Sequence, residues 1–131
     1  MILMDTCAIL WDSLESSKLS NKALLAIEKA DKDNMLIISD ISIWEISMLI
    51  KKKRLKIDVT VVVFFNLFLQ SRNILVQSIS PEIAELSVNL DASINNDPAD
   101  RIITATAIIN NAQLVTADKN LIESKLVDTI W

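Results

Sequence analysis

The sequence predicts an α/β fold of three layers, α/β/α, built on a central parallel sheet of four to five strands. Short runs suited to strands recur at Met1–Met4, Met35–Ile38, Asn73–Val76, Leu114–Thr116 and Leu126–Ile130; continuous apolar runs of this length fit strands covered on both faces. Segments with helical spacing separate them. Two of these open on Ser80-Pro81 and Asp97-Pro98, a capping side chain followed by a residue that has no N–H to leave unpaired. Alternation of the two kinds implies parallel strands joined by crossover helices. A chain of 131 residues accommodates this as one domain over residues 1–131, with a core that needs no disulfide or structural metal.

Met1–Met4 is the first strand. Ala23, Leu24, Ile27 and Ala30 then repeat at helical spacing between Asn21 and Ala30, and Met35–Ile38 follows as the second strand of a β-α-β unit. Ile41 to Lys52 reads as a helix with Trp44, Met48 and Leu49 available to one face, and its closing lysines suit the negative end of the helix dipole. Asp58 to Gln70 is divided. Local propensity favours a strand at Val61-Val62-Val63-Phe64-Phe65, whereas the length of the segment and a capping Asp58 favour a helix, the assignment adopted. A third strand lies near Asn73–Val76, and helices run from Ser80-Pro81 to about Asp91 and from Pro98 to about Asn110. Leu114–Thr116 is the fourth strand, a short helix follows Asp118, and Leu126–Ile130 is an edge strand. No repeat, low-complexity tract or linker interrupts the pattern.

The inventory excludes much chemistry. With no His and one Cys, zinc sites, Ser-His-Asp and Cys-His catalysis are absent. With no Gly, neither a phosphate-cradling P-loop nor a dinucleotide fingerprint can be written. Positive φ must then fall to Asn and Asp, and Asn34, Asn95-Asn96, Asn110-Asn111 and Asn120 stand at turn positions. The single thiol, and the lack of any apolar run long enough for a membrane span or signal-peptide core, imply a cytoplasmic protein with no membrane partner. A net charge of −4 disfavours nucleic-acid binding over the whole surface but permits a local patch, and Lys51-Lys52-Lys53-Arg54 with Lys56 forms one.

Carboxylates are what remain. Asp5 and Asp118 sit at strand ends, Glu45 in the first turns of a helix leaving the second strand, and Asp97 and Asp100 at the start of another helix. In open parallel sheets the ligand crevice lies beyond the carboxyl ends of the strands, so all five point toward one end of the sheet. Two like charges about 5 Å apart repel by roughly 3 kcal/mol at an effective dielectric near 20. Protonation relieves this; so does a divalent cation, and an accessible oxygen-only cluster suits Mg²⁺ or Mn²⁺. Structural roles exist for each acid. Ser42-x-x-Glu45 matches a capping box, Asp97 suits the N-cap before Pro98, Asp100 is favoured by the helix dipole, and Asp5 and Asp118 fit strand-end turns. Asp5, after four apolar residues, has the least structural reason to be charged.

These residues resemble those of PIN-domain nucleases, most closely the VapC-like toxins of toxin–antitoxin pairs. The resemblance covers essentially the whole chain. It rests on Met4-Asp5-Thr6-Cys7-Ala8-Ile9-Leu10-Trp11, Ser39 to Leu55 around Trp44-Glu45, the block Asp97-Pro98-Ala99-Asp100-Arg101-Ile102-Ile103-Thr104-Ala105-Thr106-Ala107, and Leu114-Val115-Thr116-Ala117-Asp118. Carried over by position, the acidic quartet is Asp5, Glu45, Asp100 and Asp118, with Asp97 a neighbour that caps a helix or holds a metal-bound water. Similar toxins commonly have Gly where this chain has Lys53 and His where it has Asn96. Neither departure removes a quartet carboxylate.

The resemblance implies a PIN-like fold, Mg²⁺- or Mn²⁺-dependent endonucleolytic cleavage of RNA, a homodimer, and a cognate antitoxin. Asp5 and Asp100 are the expected direct ligands, with Asp118 and Glu45 completing the shell directly or through water, around one metal or two. Attack by water predicts 5′-phosphate and 3′-hydroxyl ends. Lys51, Lys52, Lys53, Arg54 and Lys56 are candidates for the RNA backbone, Arg101 for a phosphate or a neighbouring acid, and Thr6, Ser42 and Thr116 for orienting ligands or capping. Cys7, Trp11 and Trp44 read as packing residues. A content of 51% hydrophobic residues and a mean hydropathy of +0.37 point to surface buried between chains, with Val59 to Leu69 the leading contact for a dimer or antitoxin. Three rivals remain: a haloacid-dehalogenase-type phosphohydrolase, disfavoured because its second Asp is replaced by Cys7; a housekeeping PIN RNA-processing nuclease; and a non-catalytic metal-binding PIN module.

Overall fold

In the computed structural model, which describes residues 1–131, strands β1 (Ile2–Met4), β2 (Leu36–Ser39), β3 (Ile74–Gln77), β4 (Gln113–Val115) and β5 (Thr129–Ile130) form one sheet. Every neighbouring pair is parallel, in the order β3-β2-β1-β4-β5. The chain thus moves outward from β1 to β3 on one side, then crosses back to lay β4 and β5 on the other. Successive connections diverge between β1 and β4, the point at which an open parallel sheet leaves a crevice at its carboxyl edge.

Seven helices cover the sheet: α1 (Thr6–Leu14), α2 (Asn21–Lys32), α3 (Ile41–Lys51), α4 (Val61–Ser71), α5 (Pro81–Asn89), α6 (Pro98–Ile109) and α7 (Lys119–Ser124). Because side chains alternate across a strand, the sheet feeds two cores. Met4, Leu36, Ile38 and Val115 join Ala8, Ile9, Ile27 and Phe64 on one side, while Leu3, Ile37 and Leu114 join Ile103, Ala107 and Leu121 on the other. No helix is long and apolar enough to cross a membrane.

Several local expectations need correction. α1 was not expected, because its central run Ala8-Ile9-Leu10-Trp11 is continuously apolar and conceals the helical period; the signal was Asp5, which caps it. α4 is a helix, as assigned, but Thr60 rather than Asp58 is its N-cap, accepting from the Val63 amide. Phe64, Phe65 and Phe68 are its buried residues, so one apolar face overrides the strand propensity of the valines. Positive φ falls on Asn34 and Asn111 as anticipated, yet also on Lys53 (φ 58°) and Lys125 (φ 54°). A left-handed conformation costs a non-glycine residue about 1–2 kcal/mol, so the turn after α3 keeps its geometry without the usual small residue.

Arg72, at the C-terminal end of α4, ties three elements together. Its Nε and Nη2 donate to the Asp12 carboxylate, both at 2.7 Å, and its Nη1 donates to Asp31 at 3.0 Å. The Asp12 side chain is only 3% exposed, so removing its partner leaves a buried uncompensated charge. Arg72→Ala is expected to lower the unfolding free energy by about 3 kcal/mol in urea titrations; an unchanged midpoint and slope would exclude this clamp as a source of stability.

Candidate functional site

At the carboxyl edge of the sheet a cavity of about 360 Å³ is lined by Asp5, Glu45, Asp100 and Asp118, with Thr6, Cys7, Trp11, Leu49 and Ala117. The four quartet positions therefore share one cavity. No lysine or arginine lines it, and none of the four carboxylates is in an ion pair. Asp97, the fifth acid, instead lines an adjoining groove with Trp44, Lys52 and Arg54, and Glu45 and Leu49 border both spaces. A larger cavity, about 690 Å³, lies elsewhere beside α4 and contains none of the quartet.

Helix starts place the acids. Asp5 follows β1 and caps α1, its Oδ1 accepting from the Ala8 amide at 2.8 Å. Asp118 follows β4 and caps α7, its Oδ1 accepting from the Leu121 amide at 3.1 Å. Asp97 caps α6, accepting from the amides of Ala99 and Asp100, which puts Asp100 in the first turn. Asp5 thus has a structural reason for its charge, contrary to the sequence expectation. The caps of Asp5 and Asp118 each use one carboxylate oxygen and leave the other for further partners.

Glu45 is held differently. No capping box forms: Asp40 occupies the N-cap of α3, and the Glu45 carboxylate accepts a hydrogen bond from the Thr6 hydroxyl of α1. Thr6 is also in hydrogen-bond contact with the buried Ser42 at 3.0 Å, so Thr6 and Ser42 link α1 to α3 beside the cavity. Thr116, fully buried, accepts from the Asp118 amide at 3.0 Å and hydrogen-bonds the Asp5 side chain. Asn95, read from the sequence only as a turn residue, donates from its side chain to Asp100 Oδ2 at 2.9 Å and accepts from the Asp97 amide at 2.8 Å. An Asn two residues ahead of a capping Asp was the available signal for that role.

The electrostatics record the crowding. Burial pushes the Asp5 carboxyl up to about 6, against the hydrogen bonds from Thr116 and Ala8, and the charges of Asp100 and Asp118 push it further the same way. Burial also raises Glu45, with Asp97, Asp100 and Asp5 adding to the rise and Thr6 opposing it. Asp100 is raised by burial and by Asp97 and Asp118, with Asn95 opposing. Cys7, exposed at the rim rather than packed as expected, has its thiol pushed up to about 11 by burial of its sulfur and the four surrounding acids, which keeps it from acting as a thiolate.

This donor set fits a hard divalent cation: oxygen ligands only, several of them anionic, and no cation of the protein's own to neutralise them. No three acidic side chains stand close enough to hold an ion alone. Water must complete such a shell, as it does for Mg²⁺, which sheds its waters reluctantly.

Other predicted residues fall outside the cavity. Arg101 reaches neither phosphate-facing space nor acid; its guanidinium donates to the backbone carbonyls of Ser87 and Leu90 at 2.9 and 2.6 Å and, more weakly, to those of Ile94 and Asn95, fixing the α5–α6 connection. Lys51, Lys52, Lys53, Arg54 and Lys56 are all exposed, but only Lys52 and Arg54 line the groove beside the acids, whereas Lys56 borders the distant large cavity. Trp44, expected to pack, is 58% exposed.

The PIN domain family model matches residues 2–125. The chain is 34% identical over 120 residues to Ribonuclease VapC22 of Mycobacterium tuberculosis, covering 92% of this chain and 88% of that protein. Among solved structures it is similar to a toxin-antitoxin complex from Klebsiella pneumoniae (TM-score 0.65, 26% identity, 97% and 95% of the two chains). It also shares its fold with VapBC2 from Rickettsia felis bound to a DNA fragment from their promoter (TM-score 0.73, 19% identity, 98% and 97%).

A carboxyl whose folded pKa exceeds its unfolded value destabilises the fold once it ionises. For Asp5 the penalty is absent below pH 3.8, grows between 3.8 and about 6, and is complete above. It amounts to roughly 3 kcal/mol. The metal-free protein is therefore expected to melt higher near pH 4.5 than near pH 7.5. Asp5→Asn, which keeps a capping oxygen, should raise the melting temperature at pH 7.5 and flatten the profile. A destabilised Asp5→Asn protein at neutral pH would contradict the assigned direction.

Proposed function

The chain belongs to the PIN-domain family, and from that premise we propose that it is a Mg²⁺- or Mn²⁺-dependent endoribonuclease acting as the toxin of a toxin–antitoxin pair, with residues 1–131 forming one domain in the cytoplasm. The observation that carries this is the cation-free cavity lined by Asp5, Glu45, Asp100 and Asp118 at the point where the sheet connections diverge. The relative named a ribonuclease and the similar structure of a toxin-antitoxin complex support the RNA substrate and the antitoxin partner.

Asp5, Asp100, Asp118 and Glu45 are the residues that would hold the ion. A bound divalent ion of this kind polarises a phosphate and lowers the pKa of water. The chain supplies the rest. The caps at Asp5 and Asp118 fix two carboxylates on rigid helix starts, Thr6 orients Glu45, and Asn95 orients Asp100. With no His in the chain, proton removal from water has no imidazole to rely on. The exposed cations Lys52 and Arg54 of the adjoining groove offset the acid cluster for an incoming polyanion.

Apolar exposure supports the protein partners. On and beside α4, Val59, Val62, Val63 and Leu67 are 43%, 69%, 42% and 58% exposed, while its phenylalanines fill the core. That outward face suits a second copy or an antitoxin.

Purified protein with Mg²⁺ is expected to cut RNA to 5′-phosphate and 3′-hydroxyl ends, and Asp5→Asn or Asp100→Asn to slow cleavage by about a thousandfold. Cyclic phosphate products, or equal activity in wild type and Asp5→Asn, would overturn the reading. Sedimentation is expected to give a dimer that Val62→Glu with Leu67→Glu dissociates. A clean wild-type monomer, both alone and with the product of the neighbouring gene, would remove the assigned role of α4.

A further inference from the structure

The groove beside the acid cavity has the makings of a nucleotide subsite. It encloses about 490 Å³ and shares Glu45 and Leu49 with the cavity, so the two form one continuous trough. Along α3, Trp44, Met48 and Lys52 recur every fourth residue and line this groove, a single helical stripe running from an aromatic ring to a cation. Arg54 joins Lys52 at its end. Both cations are exposed, and neither is in an ion pair.

Trp44 has no evident structural duty. It is 58% exposed, belongs to neither hydrophobic core and stacks on no other ring, whereas Trp11 packs against Trp131 with centroids 5.4 Å apart. An exposed indole beside two unpaired cations offers two kinds of contact at once. Its face can stack any unpaired base, and the cations can hold the phosphate that adjoins it. A duplex base presents no free face, so this combination selects single strands and loops. Glu45 and Asp97 line the groove as well, so its two cations balance two acids there and offer a phosphate contact beside a cavity that by itself repels a polyanion.

We propose that this groove is a nucleotide-binding subsite in which an unpaired base of the RNA stacks on Trp44 while Lys52 and Arg54 hold the neighbouring phosphate. The inference rests on the ribonuclease reading above for its substrate. Lys56, on the far side, takes no part.

The test uses full-length protein, short single-stranded and duplex RNAs of one sequence, and tryptophan fluorescence with the Asp5→Asn background to separate binding from cleavage. Single-stranded RNA should quench the fluorescence, and Trp44→Ala should abolish that quench. Trp44→Ala should raise KM about tenfold with a smaller effect on kcat, and Trp44→Phe should restore most of the loss. Lys52→Ala with Arg54→Ala should lower the slope of log affinity against log salt by about 1.4, whereas Lys56→Ala should leave it in place. An unchanged KM in Trp44→Ala, equal binding of duplex, or conversion of a dimer to monomer by Trp44→Ala would overturn the subsite, the last by placing Trp44 at a protein interface. If Trp44→Ala does not fold, the Phe variant and the double cation variant decide. Wild-type protein that binds and is quenched but does not cleave would sink the ribonuclease reading and leave the subsite standing.

Discussion

Repulsion among four carboxylates, contained by helix N-termini, is the constraint on which this site depends. The first N–H groups of a helix have no partner within it and carry partial positive charge. Asp5, Asp97 and Asp118 each satisfy such groups, at the starts of α1, α6 and α7. Three helix starts therefore meet where the acids gather, and the fold holds anions there without lending them a lysine or arginine. The compensation is partial. Burial raises the carboxyls of Asp5, Glu45 and Asp100, and neighbouring acids add to the rise; a divalent ion would offset both.

The same arrangement explains why so much of the site was legible in the sequence and why the reasons were less so. Asp-Pro at 97–98 and an Asp after each of two apolar strands are local patterns, and the parallel sheet then requires their ends to face one way. Structural and functional explanations looked like rivals for each acid. At Asp5 and Asp118 the cap takes one oxygen and leaves another, so a single side chain serves both. Glu45 was the opposite case. A capping-box pattern fitted its spacing, yet α3 starts one residue earlier than Ser42 and the carboxylate turns to Thr6 on another helix, a contact with no local signature.

What escaped the sequence was contact across distance. α1 was hidden because its apolar residues run without a break from Ala8 to Trp11 and blur the period on which helix recognition relies. Arg101 looked like a free cation beside an acid, but backbone carbonyls between Ser87 and Asn95 engage all three nitrogens of its guanidinium. Those acceptors sit on a connection whose path no local pattern states. Asn95 likewise acquires its meaning only because the same connection brings it against Asp100.

The distribution of charge follows from these placements. A net charge of −4 would oppose RNA if it were spread evenly. It is not: the quartet concentrates negative charge in one cavity with no cation in its lining, while Lys52 and Arg54 line, with Asp97, the groove that shares its wall. A polyanion approaching such a surface would meet cations in the groove, beside Glu45 and Asp97, and none in the cavity, so affinity and chemistry would reside in adjoining but separate places. Their link is α3, which carries Glu45 toward the cavity and Trp44, Met48 and Lys52 toward the groove. One helix, fixed at its first turns by Thr6 and Ser42, thereby sets the distance between the groove proposed to hold a strand and the cavity in which its phosphate would be reached.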